Sequence, residues 1–494
     1  MVDWDAASMR SSFVALFVVS QLRPSASRPP VAVRRRPFEA PELAPLPAGL
    51  EPATSELRPP RCLAPASAMT AGRPTAESAS SASALSSLST TAVATAALSS
   101  DPPSSASKDS TPASRPFIFR NGRPYLDDPK LPYPLPWDLA ELHRQSLRTL
   151  LLCQLFGAPV CSPELTEKPP QRVLEVGCGS GLWSIMCHRY YKSRGHGDIS
   201  FTGMDVVPLW PGNTAGDGPS PEKDMKWTFV KHDISRLPWP LGDKFDLIMV
   251  KDMSLAVAES QLQYRILGKY LRFLKPGGTI EIWDSDHVIR MLRQHVPEST
   301  PDSDLDQQEA VSSLGAYVLS AKTPLSASAN PFLSSYNGWI ERALEARHLS
   351  PVPCTLIGPA MLQESDVLDD IRSRRLAIPF GEIRWERDPG GGGPIDDTGA
   401  EEAMQRTLSA DQSAMRSAAL LTVVQQVQAL EPILREASGK SQDEWDMWMG
   451  KMMGNLMSDG GASLGECLEV GVWWARKKVS LEEEVDECLN DTDE

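Results

Sequence analysis

At 494 residues the chain exceeds one ordinary domain, and its 64 acids against 49 bases leave a formal net charge of -15. That balance argues against a nucleic-acid partner, since phosphate binding needs a concentrated basic face. Eight cysteines with no CxxC pair fit a reducing compartment without disulfides or zinc, and Cys187 and His188 are adjacent rather than spaced as metal ligands.

Residues 1–115 are expected to form a disordered N-terminal region. From residue 24 to 116 Ser, Ala, Pro and Thr dominate, and such a composition buries too little apolar surface to offset its ordering entropy. Residues 13–22 are apolar but too short to span a bilayer, and Asp3 and Asp5 oppose the positive flank of a secretory signal. Arg34, Arg35 and Arg36 would suit an organelle presequence; the expected location is nevertheless intracellular, cytoplasmic or nuclear, with no membrane partner. Residues 116–165 form an N-terminal arm, around Asn121 to Tyr125, and a helix over 138–156. They close one side of the site that follows, with Tyr125 as a contact to cofactor or substrate.

Residues 172–184 read RVLEVGCGSGLWS, an apolar strand, a turn with alternating glycines and a helix start. Gly177, Gly179 and Gly181 let the backbone bend and approach a ligand at a strand's carboxyl end, where open α/β sheets bind ligands. A dinucleotide fingerprint would place its third glycine at Leu182, so the spacing favours S-adenosylmethionine over NAD. Glu175 ends the strand as a carboxylate expected to point into the pocket, suiting a cationic amino-acid moiety. Residues 199–204 form a second strand closed by Asp205, an acid placed to accept from ribose hydroxyls. Residues 227–231 form a third, followed by His232, Asp233 and Ile234, a polar group and an apolar cover for an adenine. Residues 245–250 form a fourth, followed by Lys251, Asp252 and Met253. A helix through Leu262, Ile266, Tyr270 and Leu274, a Pro276-Gly277-Gly278 turn and a fifth strand at 279–283 complete the pattern. Strands alternating with helices imply a parallel sheet.

In motif order (VLEVGCGSG, TGMD, KHDI, FDLIMV, LKPGGTIEI) the segment resembles the class I S-adenosylmethionine-dependent methyltransferases. More narrowly it is similar to the fungal LaeA-like (UMTA-type) family, in Trp183 after the glycine turn, the N-G-R-x-Y arm at 121–125 and an R-R-L-x-x-P-F-G segment at 374–381. The resemblance runs from about Phe117 onward. It implies an α/β Rossmann-like fold, a seven-stranded, mostly parallel sheet with an antiparallel last strand, carrying a helical cap insertion. Residues 166–296 would be the core, 297–480 the substrate-side cap helices and last two strands, and 481–494 an acidic tail. S-adenosylmethionine is the implied cofactor. Its expected contacts are Glu175, Gly177, Cys178, Gly179, Gly181, Trp183, Asp205, Val206, Asp233, Ile234 and Lys251, with Trp183 either covering the cofactor or packing beneath the turn.

Beyond the fifth strand the sequence reads as a polar loop over 291–328, a helix over 331–349, a sixth strand at 371–378, a Gly-rich loop at 390–393, helices over 401–436 and 442–457, and a final strand around 468–474. A Trp and Met stripe in the helix at 442–457 suits either a core or an apolar substrate cavity, and Arg372, Arg374 and Arg375 read as an exposed strand edge. Methyl transfer is an in-line displacement that needs orientation more than chemistry from the protein; where a base is wanted, Asp252 and His287 are placed for it. The leading expectation is methyl transfer to a small molecule. The alternative is a cofactor-binding regulator with little turnover, whose low-complexity and acidic ends bind protein partners; an NAD-dependent reductase comes third.

Overall fold

The computed structural model describes residues 117–128, 130–207, 221–264, 266–294, 302–387, 408–458 and 460–479. The expected low-complexity region, the apolar run at 13–22, the Gly-rich loop at 390–393 and the acidic tail lie outside the described residues.

The arm is a two-stranded hairpin, β1 (Phe117–Arg120) and β2 (Arg123–Leu126), turned by Asn121 and Gly122 at φ 49° and 75°. That left-handed region is open to glycine and tolerated by asparagine. The next helix, Leu139–Phe156, starts where the Asp138 carboxylate accepts from the Glu141 N–H and ends where Gly157 takes φ 81°, the cap chemistry of both helix ends.

The ordinary alternation of apolar runs and helices then builds β3 (Arg172–Val176), β4 (Ser200–Asp205), β5 (Lys226–Lys231), β6 (Phe245–Lys251) and β7 (Leu274–Ser285). They are parallel neighbours in the order β5-β4-β3-β6-β7. The strand order reverses beside β3, the point where open α/β sheets place their ligands. The turn expected at Pro276 lies inside β7: pairing with β6 jumps from Phe245↔Leu274 to Leu247↔Thr279, so Pro276, Gly277 and Gly278 form a bulge, with Gly277 at φ 70°.

The stretch expected as a polar loop instead holds β8 (Arg290–Leu292), a helix (Asp302–Ser313), β9 (Tyr317–Val318) and β10 (Leu325–Ala327). A sixth strand, β11 (Leu368–Pro379), and the last, β12 (Glu466–Lys477), complete the sheet. β12 runs antiparallel to both β7 and β11, so the mostly parallel sheet with an antiparallel last strand is present, extended at its edge by the three short strands. β8 continues the line of β7 along β12: Val470 faces Ser285 and Cys467 faces Arg290. Residues 286–289 are thrown out of the ladder at that break.

The helix expected over 401–436 is described from residue 408 onward. Ala410–Ala429 stops at Leu430, and Glu431–Ser438 begins afresh because Pro432 lacks the N–H the longer helix would need. Gln442–Leu456 starts at a Ser441–Glu444 capping box. Its Trp445 and Trp448 pack on Trp339 of the helix Pro331–Glu345, with ring centroids 6.2 and 4.6 Å apart. Trp445, Met449 and Met452 of the stripe are buried as core between the two helices, while Met457 stands exposed.

Arg375 is not at an exposed edge. Its guanidinium and that of Arg290 flank the buried Asp286 and Glu469 carboxylates, which ties β11, β12 and the break after β7 together. Such pairs fix geometry because removing one partner strands a buried charge.

Candidate functional site

At the end of β3 the chain turns through Gly177, Gly179 and Gly181, at φ 65°, 52° and 69°. Two successive N–H groups, of Gly177 and Cys178, donate to the Met204 carbonyl at 2.8 and 3.2 Å, which locks the turn onto β4. A Cβ on Gly177 would lie 2.2 Å from Met253 Sδ, so a larger residue there must displace the Met253 side chain as well as bear the positive φ.

Glu175 lies beneath the turn. Its carboxylate accepts from the Ser184 hydroxyl at 2.6 Å and from the Ser184 N–H at 3.3 Å, which ties the strand end to the helix Leu182–Lys192. The expectation that it points into the pocket is corrected: it is buried and absent from the cleft lining. Burial pushes its carboxyl up to about 7 against the Ser184 hydrogen bonds and nearby Lys251. A folded-state value above the unfolded one means that stability is fully present below the ordinary carboxylate range and is lost as pH rises through about 7. Glu175→Gln should therefore flatten the decline in melting temperature of the ligand-free protein between pH 5.5 and pH 8; an unchanged slope would show that Glu175 does not titrate in that window.

Cys178, Gly181 and Trp183 also stand back from the cleft. Cys178 is buried against the Gly203 backbone. Gly181 starts the helix with the Trp227 ring against it. The Trp183 indole is 1 % exposed and donates to the Pro159 carbonyl at 2.7 Å. Its place in the first helical turn rotates it into the core, so its packing alternative holds and its expected role as cofactor cover is corrected.

Gly177, Gly179, Asp205, Val206, Asp233, Ile234, Lys251, Asp252 and His287 do converge on one cleft, at the carboxyl ends of β3, β4, β5, β6 and β7. Asp205 Oδ2 accepts from the Gly179 N–H at 2.8 Å and its Oδ1 from the Val206 N–H at 2.7 Å. Burial raises its carboxyl against these donors. Asp233 accepts from Ser235 and Arg236, while Ile234 supplies an apolar wall beside it. These groups fit S-adenosylmethionine: a glycine turn free of Cβ atoms for the methionine part, an acid at the β4 end for the ribose, and a polar and apolar pair after β5 for the adenine.

The other half of the cleft comes from elements that motif reading did not connect to it. Glu141, Arg144 and Arg148 reach it from the helix Leu139–Phe156, Gln426 from Ala410–Ala429, and Ser254, Asp284 and Ser285 from the ends of β6 and β7. Arg148 donates to Asp252 Oδ1 through Nε and Nη2 at 2.9 and 2.7 Å and to Ser285 Oγ at 3.0 Å. Lys251 Nζ holds the other Asp252 oxygen at 2.9 Å. Burial alone would raise the Asp252 carboxyl; Arg148 and Lys251 more than reverse it and hold it well below the usual carboxylate range.

His287 sits in the break between β7 and β8, which frees its ring from the sheet. Its Nε2 lies 3.0 Å from Ser254 Oγ and its Nδ1 3.2 Å from Gln426 Nε2. Ser254 Oγ donates to Asp284 at 2.7 Å, so its single proton is committed and it accepts from a protonated Nε2, leaving Nδ1 to accept from Gln426. Burial, with Arg148 nearby, lowers the imidazole to about 3. His287 is a neutral hydrogen-bonding group at any physiological pH. Neither expected base is built as one: the first is neutralised by two cations and the second is too weak a base. Tyr125, expected to touch a ligand, instead donates from its hydroxyl to the Ala429 carbonyl at 3.1 Å, and Asn121 donates to Glu431, so the arm latches onto the cap helices.

Residues 173–278 match the methyltransferase domain family. The chain is 28% identical over 169 residues to the "Secondary metabolism regulator laeA" of Aspergillus niger, covering 33% of this chain and 40% of that protein. It is 27% identical over 168 residues to the "Protein-methionine methyltransferase laeA" of Emericella nidulans, covering 33% and 40%. The match thus spans about two fifths of the length of these curated relatives. Among solved structures, the plantazolicin methyltransferase BpumL in complex with SAH aligns at 12% identity and a TM-score of 0.29, over 69% of this chain and 88% of that one. The chain carries a class I methyltransferase domain resembling that of the LaeA proteins, and S-adenosylmethionine is the cofactor of that class. Among the described residues no helix is long and apolar enough to cross a membrane.

Proposed function

We propose that this chain transfers a methyl group from S-adenosylmethionine to a small-molecule acceptor. The observation that carries the reading is the alternating glycine turn, with Asp205 accepting from Gly179 N–H, which opens into a cleft whose far wall is buried polar side chains. The bound cofactor would supply a methyl group activated by its sulfonium. Gly177 and Gly179 keep the turn open to it, Asp205 takes the ribose, and Asp233 with Ile234 takes the adenine. Tyr133, Glu141, Arg144, Arg148 and Gln426 face the same cleft and would orient the acceptor and displace water, an effect of up to roughly 7 to 11 kcal/mol when reacting atoms are held in line.

A second reading is favoured by the similarity to the Aspergillus niger secondary metabolism regulator: a cofactor-binding protein that acts on protein partners through its acidic and low-complexity ends, in the cytoplasm or nucleus. On either reading we divide the chain into a low-complexity region at 1–115, an arm and helix at 116–165, the cofactor domain at 166–296, the cap with the last strands at 297–480 and an acidic tail at 481–494. Full-length protein incubated with methyl-labelled S-adenosylmethionine and a metabolite extract distinguishes the two readings. Labelled product that disappears with Asp205→Ala, which should weaken cofactor binding about tenfold or more by losing a charge-assisted hydrogen bond, supports the enzyme; cofactor binding without product supports the regulator.

A further inference from the structure

The acceptor side of the cleft carries two buried arginines on one helix. Arg144 and Arg148 lie one turn apart on the same helix, each 4 % exposed, and both line the cleft. Arg144 pairs with Glu141 through Nε and Nη2 at 2.8 and 2.6 Å, and its Nη1 reaches Gln426 only at 3.4 Å. Arg148 spends Nε and Nη2 on Asp252 and Ser285; its Nη1 has no hydrogen-bond partner among the described residues. Lys251 shares Asp252 with Arg148. In direct contact Arg144 meets Glu141, while Arg148 and Lys251 share Asp252; Asp284 lines the same cleft. Both guanidiniums belong to the cleft lining, and a guanidinium presents its donors in the planar fork that matches a carboxylate.

The two groups positioned as bases are both disabled, Asp252 by its cations and His287 by its neutral, hydrogen-bonded ring. Neither of these two groups is set to take a proton from an acceptor, and an acceptor that is already an anion needs no base. Resting on the methyltransferase reading above, we propose that the acceptor carries a carboxylate, held by the free edge of Arg148 together with Arg144, and that this carboxylate is the methylated group. In the step a carboxylate oxygen forms the O–CH3 bond as the S–CH3 bond breaks. The electron pair of the broken bond remains on sulfur, leaving the neutral thioether S-adenosylhomocysteine and a methyl ester, and no proton is released.

A carboxylate could also come from the methionine part of the cofactor, and the experiment separates the sources. Full-length protein saturated with S-adenosylhomocysteine is titrated with aromatic and aliphatic carboxylic acids, each beside its own primary amide, and the same acids are offered with methyl-labelled S-adenosylmethionine. The acids should bind about tenfold or more tighter than their amides, the worth of a charge-assisted pair. Label should appear in a product that mild alkali releases as methanol. Arg148→Met should abolish the acid preference and Arg148→Lys retain part of it, both with S-adenosylhomocysteine affinity unchanged within about twofold. Equal binding of acids and amides, no acid binding, or label only in an alkali-stable product would overturn the inference and leave the cofactor site standing. A loss of S-adenosylhomocysteine affinity in Arg148→Met, with affinity for 5′-methylthioadenosine kept, would assign the guanidinium to the cofactor's own carboxylate and overturn it too. Failure of wild type to bind S-adenosylhomocysteine removes the underlying reading itself.

Discussion

Gly177→Ala is expected to weaken S-adenosylhomocysteine binding by roughly 100-fold, the equivalent of about 3 kcal/mol. Two costs combine. An L-residue at φ 65° carries a left-handed penalty of about 1–2 kcal/mol, and the new methyl would meet Met253 Sδ at 2.2 Å, on the wall of the cleft where the cofactor must lie. Gly157→Ala is the matched control. It takes φ 81° at the end of the helix Leu139–Phe156, but a Cβ there meets nothing within 4 Å. Both variants should melt earlier, Gly177→Ala by more because it must also displace Met253, and only Gly177→Ala should lose the ligand. Equal affinity in the two, measured by calorimetric titration, would remove the glycine turn from the binding site.

Arg416→Met should destabilise the protein by about 3–5 kcal/mol, the cost of breaking a buried ion pair from one side. Arg416, 2 % exposed, donates to the Gly315 and Gly381 carbonyls at 2.8 Å each and to both Glu386 oxygens at 2.7 Å. It fastens the helix Ala410–Ala429 to the segments around β9 and the end of β11, and that same helix brings Gln426 to the cleft. Burial would raise the Glu386 carboxyl, but Arg416 and Tyr317 hold it below its ordinary value. Its contribution is therefore present above the unfolded carboxylate pKa and lost as pH falls through the lower folded one. The gap between wild type and Arg416→Met, read from denaturant unfolding, should be widest near neutrality and narrow on acidification below about pH 4. A gap below 1 kcal/mol, or one that grows in acid, would show that the pair does not anchor the cap.

Much of this molecule could be read from its residues in order. The apolar runs around Glu175, Asp205, Lys231 and Lys251 became β3 to β6 within a residue or two: β3, β4 and β6 are largely buried and leave a near-continuous apolar signature, while the edge strand β5, with no fully buried residue, was legible through its strand formers Trp227, Thr228, Phe229 and Val230. Position along a strand was legible; the direction of a side chain beyond its end was not. Glu175 and Trp183 flank the turn in sequence, yet both end up buried: Glu175 on β3 turns to Ser184, and the rotation of the helix after Gly181 carries Trp183 into the core. The helix Asp302–Ser313 escaped notice because its residues are polar with almost no apolar period. The break at Leu430 had a visible cause in Pro432.

The acceptor wall was the least legible part. Arg144 and Arg148 lie on a helix that reads as leucine-rich core, and Gln426 comes from a helix almost three hundred residues further on; spacing could not bring them together. A signal was present all the same: two arginines one turn apart amid Leu147, Leu150, Leu151 and Leu152 must be buried, and buried guanidiniums need partners. His287 was singled out by position, but the break between β7 and β8 that presents it, and the Ser254 and Asp284 groups that fix its tautomer, are features of pairing and not of local sequence.

Whether the cleft beside the glycine turn binds S-adenosylmethionine is tested by calorimetric titration of the full-length protein with S-adenosylmethionine, S-adenosylhomocysteine and NAD. Micromolar binding of both sulfur compounds, none of NAD, and loss of both in Gly177→Ala and Asp205→Ala is the predicted result. Binding of NAD in preference, or no binding of either sulfur compound by the folded protein, would contradict it.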